Sequence, residues 1–180
     1  MMLGGTDTTF NTAEFAFAET MTKSAVMGKA KQELDDVVGK GNIVQETYIS
    51  KLPYLQAVMK ETLRLHLDPS NWEDPLDFDP DRFLHGKWDY SGRDFNYLPF
   101  GSGRRVCAGT AERMVVYTLA TLLHSFDWKS PQGDELDLSE KFGIVMKKKI
   151  PLVLILTPRL SDPALYEQPT IFQDVNAFDD

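Results

Sequence analysis

The chain has a single cysteine, and its neighbours decide what that cysteine can do. Residues Phe100-Gly101-Ser102-Gly103-Arg104-Arg105-Val106-Cys107-Ala108-Gly109 read as a glycine-bearing loop that delivers Cys107 to the start of a helix. Free N–H groups and the helix dipole at such a start favour an anion, so a thiolate is stabilised there. Cys107 is therefore a candidate metal ligand, whereas a lone cysteine without such neighbours is usually a small buried hydrophobe. Gly101 and Gly103 open backbone conformations closed to other residues, and Gly109 lets the helix approach a flat group closely. Arg105 is placed to pair with an anionic edge of that group, and Phe100 to pack beside the sulfur and limit water. A phosphate cradle fits the loop less well, because the third glycine and a preceding βαβ unit are missing.

Three further sets of residues could carry chemistry. Glu61 and Arg64 are neighbours on a helical face, a pair worth only about 0.2–0.5 kcal/mol if exposed. Thr6, Asp7, Thr8 and Thr9, within Gly4-Gly5-Thr6-Asp7-Thr8-Thr9, are of types that favour a helix cap. His66, His85 and His124 lack the close spacing of zinc ligands, and one cysteine adds too little for a tetrahedral site. Lys147, Lys148 and Lys149 read as a solvated strand end.

The elements that must position these residues follow from apolar spacing. Phe10, Ala13, Phe17 and Met21 predict an amphipathic helix over Leu3–Thr22, whose uncapped start at Gly4 and Gly5 looks cut through an element. A second helix is expected over Ser24–Val38, closed by left-handed Gly39 and Gly41, and Asn42–Lys51 is a connector. Pro53 suits the first turn of a third helix, with Leu55, Val58, Met59, Thr62 and Leu63 inward up to His66. Asp68–Arg93 is rich in Asp, Pro and aromatics, a composition of successive turns, anchored by Trp72, Phe78 and Phe83. A fourth helix after Gly109 carries Met114, Val115, Thr118, Leu119, Leu122 and Phe126 on one face. Phe142–Lys148 and Ile150–Thr157 are expected strands, Pro151 confining the second to a start or edge. The acidic tail, 161–180, is expected to be loose.

Composition narrows the classes. A net charge of -8 disfavours nucleic acid, whose affinity comes from Lys and Arg releasing counterions. One cysteine forbids an intrachain disulfide. No stretch reaches the roughly 20 apolar residues that span a bilayer, and Met1–Thr9 lacks the basic start of a signal peptide.

The loop matches F-x-x-G-x-R-x-C-x-G at every fixed position, and thereby resembles the heme signature of the cytochrome P450 family. Gly4–Thr9, Glu61-Thr62-Leu63-Arg64 and Pro80-Asp81-Arg82-Phe83 match three more of its motifs, in the family's order. The wording of LPYLQAVMKETLRLH and DPSNWEDPLDFDPDRFL is similar to plant microsomal members. The resemblance implies a mainly α fold with a small β part: the C-terminal portion of the cytochrome P450 fold over residues 1–160, with a long helix over heme, an ion-pair helix, a meander, the Cys-ligand loop and helix, and a terminal β hairpin. It implies a heme-dependent monooxygenase using heme b, with Cys107 as axial ligand to the iron and Phe100, Gly103, Arg105 and Gly109 around the macrocycle, Arg105 on a propionate. Asp7 and Thr8 would relay protons toward dioxygen, and Arg82 would join Glu61 and Arg64 in a structural network. The Phe142–Met146 region would approach a small organic substrate. Partners implied are an NADPH-dependent reductase, with relatives at the endoplasmic reticulum membrane. Against relatives, the chain passes from His66 to Asp68 through Leu67 alone, where a proline-rich stretch with short strands is expected. After Gly109, Thr110–Arg113 is about two residues short, enough to turn the following helix by roughly 200°. Two other readings are a noncatalytic remnant and a small helical module without heme.

Overall fold

The structure, a computed structural model, describes residues 2–65, 67–85, 88–90, 94–100, 108–131, 133, 136–143 and 146–167, with the backbone alone for 2–6 and 108–109. Four helices dominate: α1 (Met2–Thr22), α2 (Ser24–Val37), α3 (Pro53–Arg64) and α4 (Ala108–Ser125). Among the described residues four short strands make two antiparallel pairs, β1 (Phe126–Lys129) with β4 (Ile155–Pro158) and β2 (Glu140–Lys141) with β3 (Lys147–Lys148). Among the described residues, no helix is long and apolar enough to cross a membrane.

The helix α3 is the centre of the fold. It packs against α1, α2, α4 and the Pro80–Phe83 turn, and so is buried nearly all round, at Tyr54, Leu55, Ala57, Val58, Met59, Glu61, Thr62 and Arg64. Pro53 opens it, needing no N–H partner in the first turn. The next two donors, Tyr54 N and Leu55 N, are both accepted by the Glu33 carboxylate of α2, at 2.7 and 3.0 Å. An acid 21 residues upstream thus caps the helix, a role no local pattern announces. The main cluster gathers Ala16, Phe17, Ala30, Leu34, Leu55, Val58, Leu119 and Leu123 from all four helices.

Several expectations are corrected. Helix α2 ends on Gly39 at φ 76°, with Gly39 N donating to Leu34 O, but Gly41 has no positive φ. In α1 the buried run is Ala13–Ala18 and Thr20, broken at Glu14, while Phe10 is 67% exposed. In α4 the buried apolar residues are Val115, Val116, Leu119, Ala120 and Leu123, with Met114 out in solvent. That face is one residue later than the expected stripe, a turn of about 100°. The segment from Phe126 leaves the helix altogether: Phe126-Asp127-Trp128-Lys129 alternates inward and outward, the period of a strand. It takes Ile155–Pro158 as its partner, so the expected second strand starts later than Ile150 and does not pair with the first. Pro151 lies ahead of the ladder, where its missing N–H is harmless.

Asp-Pro dipeptides build the irregular segments. Asp68, Asp79 and Asp162 each stand before a proline that opens a 3-10 turn, and each side chain accepts the N–H two residues on. The last of these turns, Pro163–Tyr166, gives the expected loose tail regular structure at its start. Tyr166 Oη accepts from Arg159 N and Leu160 N and donates to Ser125 O; residues 168–180 lie outside the described ones.

His124, on the last turn of α4, is fully buried. Its Nε2 is 3.0 Å from Asn42 O, an acceptor only, so Nε2 carries the hydrogen and the buried Nδ1 has no partner among the described residues. Burial pushes its pKa below the usual 6.5, and Arg159, donating to His124 O, opposes a second cation there. Asp35 nearby acts in the other direction. A base with a depressed folded pKa stabilises the fold above its unfolded pKa, and that stability is lost as pH falls from about 6.5. The half-buried carboxyls of Glu19 and Glu33, raised by burial, act in the opposite sense. Urea midpoints at pH 7 and pH 5 should therefore fall less for His124→Gln than for the parent chain; equal drops would refute the assignment.

Candidate functional site

Helix α3 puts Glu61 and Arg64 on one face, and the Pro80–Phe83 turn brings Arg82 to them. Glu61 and Arg64 are buried, at 0% and 1% exposure. Glu61 Oε2 accepts from Arg64 Nε at 2.7 Å; Oε1 accepts from Arg64 Nη2 at 3.1 Å, Arg82 Nε at 3.2 Å and Asp79 N at 2.8 Å. Most of these are charge-assisted bonds, the condition under which a buried charge is tolerated.

The remaining guanidinium donors go to main-chain carbonyls of the meander. Arg64 reaches Pro75 O at 2.6 Å and Asp77 O at 3.1 Å, and Arg82 reaches Glu73 O at 3.0 Å and Asp77 O at 3.3 Å. Both arginines thus use their planar forks to staple residues 73–79, a stretch with no ladder of its own. The Arg64 guanidinium also lies 5.6 Å from the centre of the Trp72 ring. The carbonyls and Asp79 N were invisible to motif reading, because backbone groups carry no sequence signal.

Beside the network sits a second cluster, of Ala57, Phe83 and Tyr97 with Leu67, Trp72, Trp88 and Tyr90 around them. Tyr97 Oη donates to Lys60 O at 3.0 Å, and Lys60 Nζ donates to Trp88 O at 3.2 Å. Burial pushes the Tyr97 and Tyr90 phenols well above their ordinary range, so both stay neutral. Tyr90 meets Phe100 edge-to-face at 5.2 Å, and Phe100, partly buried, also packs against the main cluster. This aromatic layer fixes where the cysteine loop leaves the meander. Of its members the sequence pattern singles out Trp72 and Phe83 and gives no signal for Trp88, Tyr90 and Tyr97.

The loop itself, 101–107, with Gly103, Arg105 and Cys107, lies outside the described residues. The helix on its far side, α4, begins at Ala108, with Gly109 in the first turn. The residue bearing the thiol therefore directly precedes a helix of 18 residues, whose first N–H groups have no intrahelical acceptor. Asp7 and Thr8 are exposed on α1, and Thr12 Oγ1 donates to Thr8 O at 2.8 Å. The helices α1 and α4 pack together and share an apolar cleft lined by Phe10, Ala13, Phe17, Thr118 and Leu122. Lys148, expected in solvent, is buried.

The cytochrome P450 family model matches residues 1–67 and 64–155. The chain belongs to the cytochrome P450 family. A flavonoid 3',5'-hydroxylase of Campanula medium is 38% identical over 202 residues, covering 89% of this chain and 39% of that protein. Cytochrome P450 76C1 of Arabidopsis thaliana is 40% identical, covering 84% of this chain and 38% of its own length. The chain thus spans about two fifths of these P450 relatives. A zebra fish cytochrome P450 structure with abiraterone superposes at TM-score 0.72 and 24% identity, over 87% of this chain and 45% of that one, and so shares the fold. The P450 match breaks at residues 64–67, where α3 passes into the meander. Because 202 aligned positions take in only 89% of 180 residues, about 40 of them have no counterpart here.

Proposed function

We propose that the chain is the heme-binding part of a heme-thiolate monooxygenase, with Cys107 as the axial ligand. The observation that carries this is the position of Cys107 immediately before the first residue of α4, in a chain of the cytochrome P450 family. The donor chemistry fits heme: a thiolate stabilised at a helix start would hold the iron through Cys107. Phe100 would hold the loop against Tyr90, Arg105 would pair with a propionate, and Gly103 and Gly109 would keep the backbone close to the ring. Bound there, heme b supplies activation of dioxygen, with electrons from NADPH through a separate reductase. Asp7 and Thr8 would hold and pass protons on the opposite side, and a small organic substrate would enter near Phe142. Plant relatives of this kind act at the endoplasmic reticulum membrane, which is the location proposed for the whole protein.

Reconstitution of the purified chain with hemin tests the reading. A reduced carbon monoxide complex should show the red-shifted Soret band of thiolate ligation; a band at the imidazole or unligated position would sink it.

The exposure of Asp7 and Thr8 favours a second reading for this chain, heme binding without turnover, since proton delivery is effective where bulk water is excluded. Steady product formation with a reductase and NADPH would eliminate it.

A further inference from the structure

Lys148 is the middle residue of a basic run, yet only 4% of it is exposed. Its ammonium has three donors. Among the described residues it has one hydrogen-bond acceptor, the main-chain carbonyl of Asp137, and it stands 5.9 Å from the centre of the Phe15 ring. None of the described ion pairs includes it. Two acids feel the lysine through space, Glu19, half-buried on α1, and Asp137. The Asp137 carboxylate is turned to Ser139 N at 2.7 Å. A buried charge is tolerated when paired or well hydrogen-bonded, and a leucine or methionine would fill this place without that cost.

Lys148 and Asp137 both line an open cleft of about 230 Å³, whose other walls are Ser130, Pro131, Leu136, Pro151 and Leu152, with the exposed Ile150 and Val153 at its rim. None of these residues belongs to the network or the cysteine loop. We propose that this cleft binds a small carboxylic acid with a short aliphatic body, its carboxylate on the Lys148 ammonium and its chain on the Leu, Ile and Val side chains. The volume is below the range of about 300–1,000 Å³ that holds drug-sized ligands, which selects a short acid. The binding is independent of heme, so its failure would leave the heme reading untouched.

The test is isothermal titration of the full chain with hexanoate and, separately, with hexanol, which has the same carbon chain and no charge. Hexanoate should bind one to one and raise Tm, about thirtyfold or more tighter than hexanol, the range of a desolvated charge contact. Lys148→Met should remove that preference, and Lys148→Arg should keep part of it. Val153→Trp, at a rim position 69% exposed, should weaken hexanoate while the far-ultraviolet dichroism is unchanged, and it decides the matter if Lys148→Met does not fold. Equal affinity for the two probes, no hexanoate binding, or full hexanoate affinity in Val153→Trp would each overturn the proposal.

Discussion

Glu61→Ala should lower the stability of the chain by roughly 3–5 kcal/mol, the cost of removing one partner from a buried charge network. The carboxylate is fully buried and accepts from Arg64, Arg82 and Asp79 N. Its loss leaves Arg64 buried with only carbonyl partners, frees Asp79 N from its acceptor, and loosens the turn that carries Arg82. Single domains have about 5–15 kcal/mol in total, so the variant should unfold at markedly lower urea, measured by tryptophan fluorescence. Trp72 stacks near Arg64 and reports the meander directly. Glu61→Gln keeps the size and one acceptor oxygen but turns amide hydrogens toward guanidinium donors; it should fall between the two. A midpoint within about 0.5 kcal/mol of the parent, typical of surface changes, would show that the network does not hold the meander.

Cys107→Ser is expected to abolish the red-shifted reduced carbon monoxide band and to weaken hemin by about 100-fold or more, beyond the 10–100-fold that loss of an outer partner typically costs a metal site. The hemin-free chain should unfold at nearly the same urea concentration as the parent. The expectation rests on the two buried clusters and the Glu61 network, which described residues outside the cysteine loop assemble. The two readouts distinguish a lost ligand from a lost fold. Hemin held equally tightly, with an unchanged band, would move the ligand away from Cys107.

Much of this was legible because it depends on side-chain spacing. Pro53 announces α3, the three-residue step from Glu61 to Arg64 makes them neighbours, and each Asp-Pro marks a turn. The Arg82 contact came through from shared motif order alone, since 21 residues separate it from Glu61. What stayed hidden depends on tertiary partners. Glu33 is an ordinary acid of α2 until the N-terminus of α3 is set against it. Ala13 and Phe17 of the α1 stripe are buried as expected, but Phe10 on α1 and Met114 on α4 fit their apolar stripes and are left outside by the packing. Phe126 reads as the end of the preceding helix because it continues that stripe; only Ile155–Pro158, some 30 residues on, makes Phe126–Lys129 a strand. Lys148 looked solvated from composition and is buried because the β2–β3 pair lays it against Phe15 of α1.

The join at Leu67 bears on how an alternative length of chain is accommodated. Leu67 N donates to Arg64 O at 2.9 Å, so the backbone turns directly out of the helix, and 13 residues on Asp77 O closes back on the Arg64 guanidinium. Inserting about 40 residues at that corner would lengthen this loop roughly fourfold, and ring closure scales with the logarithm of length, so the entropic penalty is only about 1.2 kcal/mol. Short-range closure of this kind lets the staple assemble early and locally, ahead of long-distance pairings. Helix and meander then form one cassette, and the corner between them is a natural point at which segments can be gained or lost during descent.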